Sequence, residues 1–253
     1  MVIKFVKDVF DASISSFRYY RRLIVPLYTG MFIGLAILPF VSLIKYGYTG
    51  TFFADLDLVY QMTGGGAVTV IGSMFLVVAG AFFLLVNRLI TFFQPSPLVI
   101  VKNRWWWLLA GAGVIFMGLD EVIMIHEYLT RKMQDIGIPK PFGIDQDIYI
   151  FAVYGIATLV VGYKLAPSIY NYRRAVFPLV AMVVFFGTSE VIDFIPWHSL
   201  TPVQEMIFDP IEEIIKTMGE WSILIYAGLL IEEVIRLIPQ QSVERYPHIG
   251  KKE

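Results

Sequence analysis

The sequence contains no cysteine. That absence excludes disulfides, thiolate zinc sites, cysteine-held iron–sulfur clusters and thiol nucleophiles together, and leaves oxygen and nitrogen as the donor atoms of any site. Charge is scarce as well. Only 16% of the 253 residues are Asp, Glu, Lys or Arg while 57% are hydrophobic, against roughly 25% charged in an ordinary soluble domain. So much apolar surface calls for lipid. A formal net charge of −1 and the lack of a basic stripe exclude a nucleic-acid partner. No Ser-His-Asp order or nucleophile elbow is present, and the Gly64-Gly65-Gly66 run, without a following lysine at phosphate-loop spacing, reads as an outer turn. The first 22 residues are too charged for a signal peptide's apolar core and no small-residue cleavage site follows, so the first span is expected to stay as a signal anchor.

What is present is a series of long apolar runs. A helix needs about 20 mainly apolar residues to cross roughly 30 Å of hydrocarbon, and six stretches qualify, near 23–45, 66–93, 104–130, 148–166, 174–196 and 205–238. Pro95-Ser96-Pro97, the segment from Gly137 to Gly143 and the segment from Pro196 to Pro202 supply breakers between them. The expected fold class is therefore all-α: a polytopic transmembrane helical bundle of six spans. The expected organisation is a cytoplasmic amphipathic helix at 1–22, the six-span domain at 23–238 and a cytoplasmic tail at 239–253. Of the 20 lysines and arginines, only Lys45, Arg131, Lys132 and Lys140 fall on one side, Lys216 falls within a span, and the rest fall on the other side. Retention of positive charge in cytoplasmic loops places both termini in the cytoplasm. Ile3, Val6, Phe10, Ile14 and Phe17 recur at helical spacing before the first span, a stripe that suits either the inner leaflet or a partner subunit. Trp105, Trp106 and Trp107 follow Arg104 at an inner boundary and read as an aromatic belt.

Ionisable residues within the spans are unevenly shared. Spans one, two and four carry essentially none, whereas span three has Asp120, Glu121, His126 and Glu127, span five has Glu190 and Asp193, and span six has Asp209, Glu212, Glu213, Lys216 and Glu220. At 100° per residue, Asp120 and Glu127 share a face, Glu190 and Asp193 lie within about 60°, and the five residues of span six occupy one stripe about 100° wide. At 1.5 Å per residue the three sets overlap in depth, in the outer half of the bilayer between spans three, five and six. An uncompensated acid at the centre of a span costs about 2.5–3.5 kcal/mol. These groups must be protonated, paired, hydrated or bound to metal.

Several carboxylates and one imidazole on facing helices form a donor set for a hard divalent metal, with iron, manganese, zinc or calcium as candidates. The residues nominated as ligands are Asp120, His126, Glu127, Glu190, Asp193 and Glu213, with Glu121, Glu212, Lys216 and Glu220 around them or pairing with Lys216. The Glu-x-x-His elements of a di-iron bundle are missing. A metal with one open position, and Glu127 or Glu190 as base, would act as a metal-dependent membrane enzyme on a lipophilic substrate. A second reading satisfies the acids locally, since Lys216 lies three residues after Glu213 and four before Glu220, and makes the chain a non-catalytic accessory or scaffold subunit of a larger membrane complex. A proton or cation path ranks third, because Leu108 to Gly118 and Phe177 to Phe186 carry no charge. Small residues at Gly72, Gly80, Gly111, Gly113 and Gly118 read as helix-packing positions. Asp120-Glu121, followed after four residues by His126-Glu127, resembles a feature of uncharacterised multi-pass membrane proteins of bacteria and archaea. The resemblance covers one span and implies a prokaryotic cell membrane, with the lipid bilayer and other membrane subunits as partners.

Overall fold

In hydrocarbon every backbone N–H and C=O must bond within its own segment, so long apolar runs fold as helices. A computed structural model describes residues 2–46, 67–93, 103–141, 146–193 and 202–245. The turn expected at Gly64 to Gly66, the breakers at Pro95 to Pro97 and residues 246–253 of the expected tail lie outside these residues. The described residues are all-α: α1 (Val2–Tyr46), α2 (Ala67–Phe93), α3 (Arg104–Ile123), α4 (Ile125–Asp135), α5 (Asp147–Asn171), a 3-10 turn (Arg173–Ala175), α6 (Val176–Asp193) and α7 (Pro202–Arg245). Four of these helices contain stretches long and apolar enough to cross a membrane, at Val68–Phe93, Arg104–Ile123, Asp147–Ile169 and Ile211–Arg236. The apolar part of α6, Val176–Ile192, is shorter.

The segment expected at the membrane surface and the first expected span form one uninterrupted helix of 45 residues. At 1.5 Å per residue that is about 68 Å, roughly twice the hydrocarbon thickness. Its buried positions Ser13, Ser16, Tyr20 and Ile24 recur at three and four residues, as one packed helix face requires. Phe10 and Ile14 stay exposed.

Helix α2 is the centre of the bundle, with α3 against one side and α7 against another; α6 packs on α7, α1 lies along α6 and the 3-10 turn, and α5 touches α3 and α4 at the edge. Leu76, Ala79, Phe83, Val86 and Ile90 of α2 meet Trp107 of α3 and Tyr226, Leu230 and Val234 of α7 in the main core. The tryptophan triplet therefore divides. Trp105 is exposed beside Arg104, whereas Trp107, 200° further round the helix, is buried against Phe83 with ring centroids 5.8 Å apart. Only 6% of the spanning stretch of α5 is buried within the chain, against 61% of that of α7, so α5 presents nearly its whole apolar surface outward.

The turn between α5 and α6 is fastened to α1. The Ser16 hydroxyl donates to the Arg174 carbonyl and accepts from the Phe177 N–H at 3.2 Å, satisfying a first-turn donor of α6. Arg174 and Arg236 stack on the Tyr19 ring at 4.7 and 5.5 Å. Glu233 lies 3.8 Å from Arg174 and 3.6 Å from Arg236, and Arg236 also pairs with Glu232. The Tyr20 hydroxyl donates to Glu233 at 3.3 Å, and burial together with the Glu233 and Glu232 carboxylates pushes its phenol above the ordinary value. Glu232 and Glu233 thus join α7 to α1 and the turn.

Candidate functional site

The run expected as a single helix over 104–130 is broken at Met124, which adopts the left-handed conformation (φ 58°, ψ 43°) between α3 and α4. Asp120 sits one turn before the break with its side chain 5% exposed. Its Oδ1 accepts the His126 backbone N–H at 2.9 Å, serving the first turn of α4. Its Oδ2 accepts the Tyr154 hydroxyl at 3.0 Å and lies 3.1 Å from His126 Nδ1. A carboxylate facing Nδ1 selects the tautomer with hydrogen on that nitrogen and leaves the Nε2 lone pair available. The imidazole rests against Phe151 of α5, ring centroids 5.7 Å apart.

A second polar group links α3 to α7 across the end of α2. Lys216 Nζ lies 2.7 Å from Glu213 and 3.4 Å from Glu121. The Thr69 hydroxyl of α2 reaches the other Glu213 oxygen at 3.5 Å. One turn further along α7, Glu220 is 2% exposed and lies against Gly72, where a Cβ would overlap its carboxylate. Glu220 Oε2 and the buried Thr217 hydroxyl have no hydrogen-bond partner among the described residues.

The nominated ligands are thereby divided. Asp120 and His126 come together, and Glu213 is engaged by Lys216. Glu127 points to Arg131 on the exposed face of α4 at 3.0 Å. Glu190 lies on α6, which meets a different face of α7: there Glu212 accepts from Ser189 at 3.4 Å and Gly219 abuts Phe186. Asp193 closes α6 and Asp209 lies early in α7, and both side chains lie outside the described residues. Among the described residues no three His, Asp or Glu side chains form a group that could hold a metal ion.

Two contributors escape sequence reasoning. Tyr154 of α5 completes the Asp120 site although its span carries no ionisable cluster, and α2, which has no acidic residue, contributes Thr69 and Gly72. Neither leaves a local signal beyond a tyrosine within a span and a small residue at helical spacing. Replacing Tyr154 by Phe is expected to lower stability by about 1.5–3 kcal/mol, the range for a hydrogen bond to a charged group, measured by thermal unfolding in detergent. A change below about 0.5 kcal/mol would show that water replaces the phenol at no cost.

No curated protein and no solved structure matched the chain. A family model described as Domain of unknown function (DUF8692) matches residues 32–232, a stretch that contains both polar groups. The protein therefore belongs to the DUF8692 family.

Proposed function

We propose that this protein is a six-span integral protein of a prokaryotic cell membrane, with both termini cytoplasmic, that serves as a non-catalytic subunit of a membrane assembly. The observation that carries the reading is the internal pairing of its acids. Lys216 holds Glu121 and Glu213, Asp120 holds His126 and Tyr154, Glu127 holds Arg131 and Glu212 takes Ser189. Acids arranged in this way join helices, and with the exception of Glu220 their acceptor oxygens are engaged within the chain rather than left for a substrate. The sparsely buried α5 adds an apolar face that another chain or lipid covers.

The second reading, a divalent-metal site, rests on one feature: Asp120 orients His126 as the carboxylate partner of a metal-bound histidine does. One preparation distinguishes the two. Protein extracted mildly from its native membrane is analysed for metals by inductively coupled plasma mass spectrometry and for stoichiometric partners by native mass spectrometry. The subunit reading expects a fixed complex without stoichiometric metal. Iron, manganese, zinc or calcium near one per chain, lost on His126→Ala, would replace it with the metal reading.

A further inference from the structure

Met124 occupies a conformation that penalises any side chain with a Cβ. The flanking residues Val122, Ile123 and Ile125 include none of the glycine, proline or asparagine that ordinarily ends a helix. Asp120 stands at the break. Its carbonyl accepts the Met124 N–H at 2.7 Å, the ordinary bond that ends α3, while its carboxylate reaches across the break to take the His126 N–H of α4 at 2.9 Å. The ring of His126 and the hydroxyl of Tyr154 bind the same carboxylate, so α3, α4 and α5 meet on one residue. The end of α4 and the turn after it meet the start of α5 through polar contacts: Gln146 donates to the Ile138 carbonyl at 2.9 Å, Gln134 reaches Gln146 at 3.4 Å, and the Tyr149 hydroxyl reaches the Pro139 carbonyl at 3.2 Å. Such contacts exchange readily with water.

We propose that the break at Met124 is a two-state hinge latched by Asp120. With the latch made, α3 and α4 are separate helices. With it released, Met124 relaxes to the right-handed helical region, the Ile125, His126 and Glu127 N–H groups bond to carbonyls four residues back, and α3 and α4 join as one helix that leaves α5. Strain at Met124 and the regained helical bonds favour the joined state; the three bonds to the Asp120 carboxylate favour the broken one. A group that competes for Asp120 or for the His126 ring shifts the balance, and α4 reports its presence.

The absence of cysteine makes the hinge directly measurable. Spin labels on Leu109→Cys of α3 and Asp135→Cys of α4, both exposed positions, would stand about 39 Å apart along a continuous helix at 1.5 Å per residue, and closer when the helix is broken. Pulsed electron double resonance on the full chain in lipid nanodiscs is expected to give the shorter distance for the parent and for Met124→Gly, which adopts the left-handed conformation without penalty. Asp120→Ala is expected to move most of the population to the long distance. Should Asp120→Ala fail to fold, Tyr154→Phe takes its place and is expected to give a distribution split between the two. A parent already at the long distance overturns the proposal. So does a distribution left unchanged by Asp120→Ala in folded protein, or by Tyr154→Phe where that variant replaces it.

Discussion

Replacing Lys216 by Met is expected to destabilise the protein by up to about 3 kcal/mol, the low end of the range for a buried pair, because breaking a part-buried pair on one side leaves uncompensated charge. Lys216 is 20% exposed and lies within reach of carboxylates on two helices, 2.7 Å from Glu213 of its own turn and 3.4 Å from Glu121 of α3. Methionine keeps the length and apolar stem of lysine, so packing changes little and the loss reports on charge. Adding Glu121→Gln and Glu213→Gln to the same chain should recover most of the stability, since amides need no counter-charge and can bond to each other and to Thr69. Arg131→Met is the contrast: its partner Glu127 and the arginine itself are 42% and 73% exposed, and an exposed i,i+4 pair contributes about 0.3–0.5 kcal/mol. Unfolding midpoints of the four proteins in one detergent settle the matter. A Lys216→Met variant as stable as the parent would mean that Glu121 and Glu213 do not depend on the lysine, which would remove the main support for reading the acids as structural.

How far the sequence discloses this arrangement depends on the range of each interaction. Helices α2, α3, α5 and α7 are legible because hydropathy over twenty residues is a local property and the membrane rewards it directly. Helix α1 merges two expected segments because the change of polarity at Arg22 and Leu23 does not by itself end a helix, and the helix runs on through Pro26. The break at Met124 is not legible, because the Asp120 carboxylate that bonds across it to His126 takes its remaining bond from Tyr154 of α5, far away in the sequence. On α7 the stripe is readable from periodicity, whereas the neighbours that receive each position are not: Glu213 and Glu220 turn to α2, Lys216 reaches α3 and Glu212 meets α6. A stripe 100° wide can touch three neighbours at once, and only tertiary structure assigns them. The expected pocket between spans three, five and six overlooks α2, since a helix without acidic residues offers no reason to place it at the centre. Glycine carries that information, though ambiguously, because a small residue at helical spacing marks close contact only where a neighbour is present.

Two glycines on one turn of α3 separate these cases. A Cβ built on Gly111 would lie 2.9 Å from the Gly80 carbonyl oxygen and 2.8 Å from Leu84 Cδ2, and one built on Gly80 would lie 2.7 Å from the Gly111 carbonyl oxygen. The contact is mutual and includes backbone on both sides, so rotation of Leu84 or Ile115 alone does not relieve it. Gly111→Ala should force α2 and α3 apart along the most extensive helix contact of the bundle, costing about 1–3 kcal/mol as overpacking generally does, and Gly111→Leu should cost more. Gly113, two residues on and about 160° round the helix at 200° for two steps, has nothing within 4 Å of its built Cβ. There alanine replaces a poor helix former by the best one, and Gly113→Ala should be neutral or stabilise by up to about 1 kcal/mol. The pair controls for helix propensity, because both substitutions gain it and only one meets a neighbour. Equal effects of the two substitutions on the unfolding midpoint would contradict the close approach of α2 and α3 at Gly80. A loss at Gly111 with none at Gly113 would fix which face of α3 turns inward, and with it the direction in which Asp120 and Glu121, nine and ten residues further along, present their carboxylates.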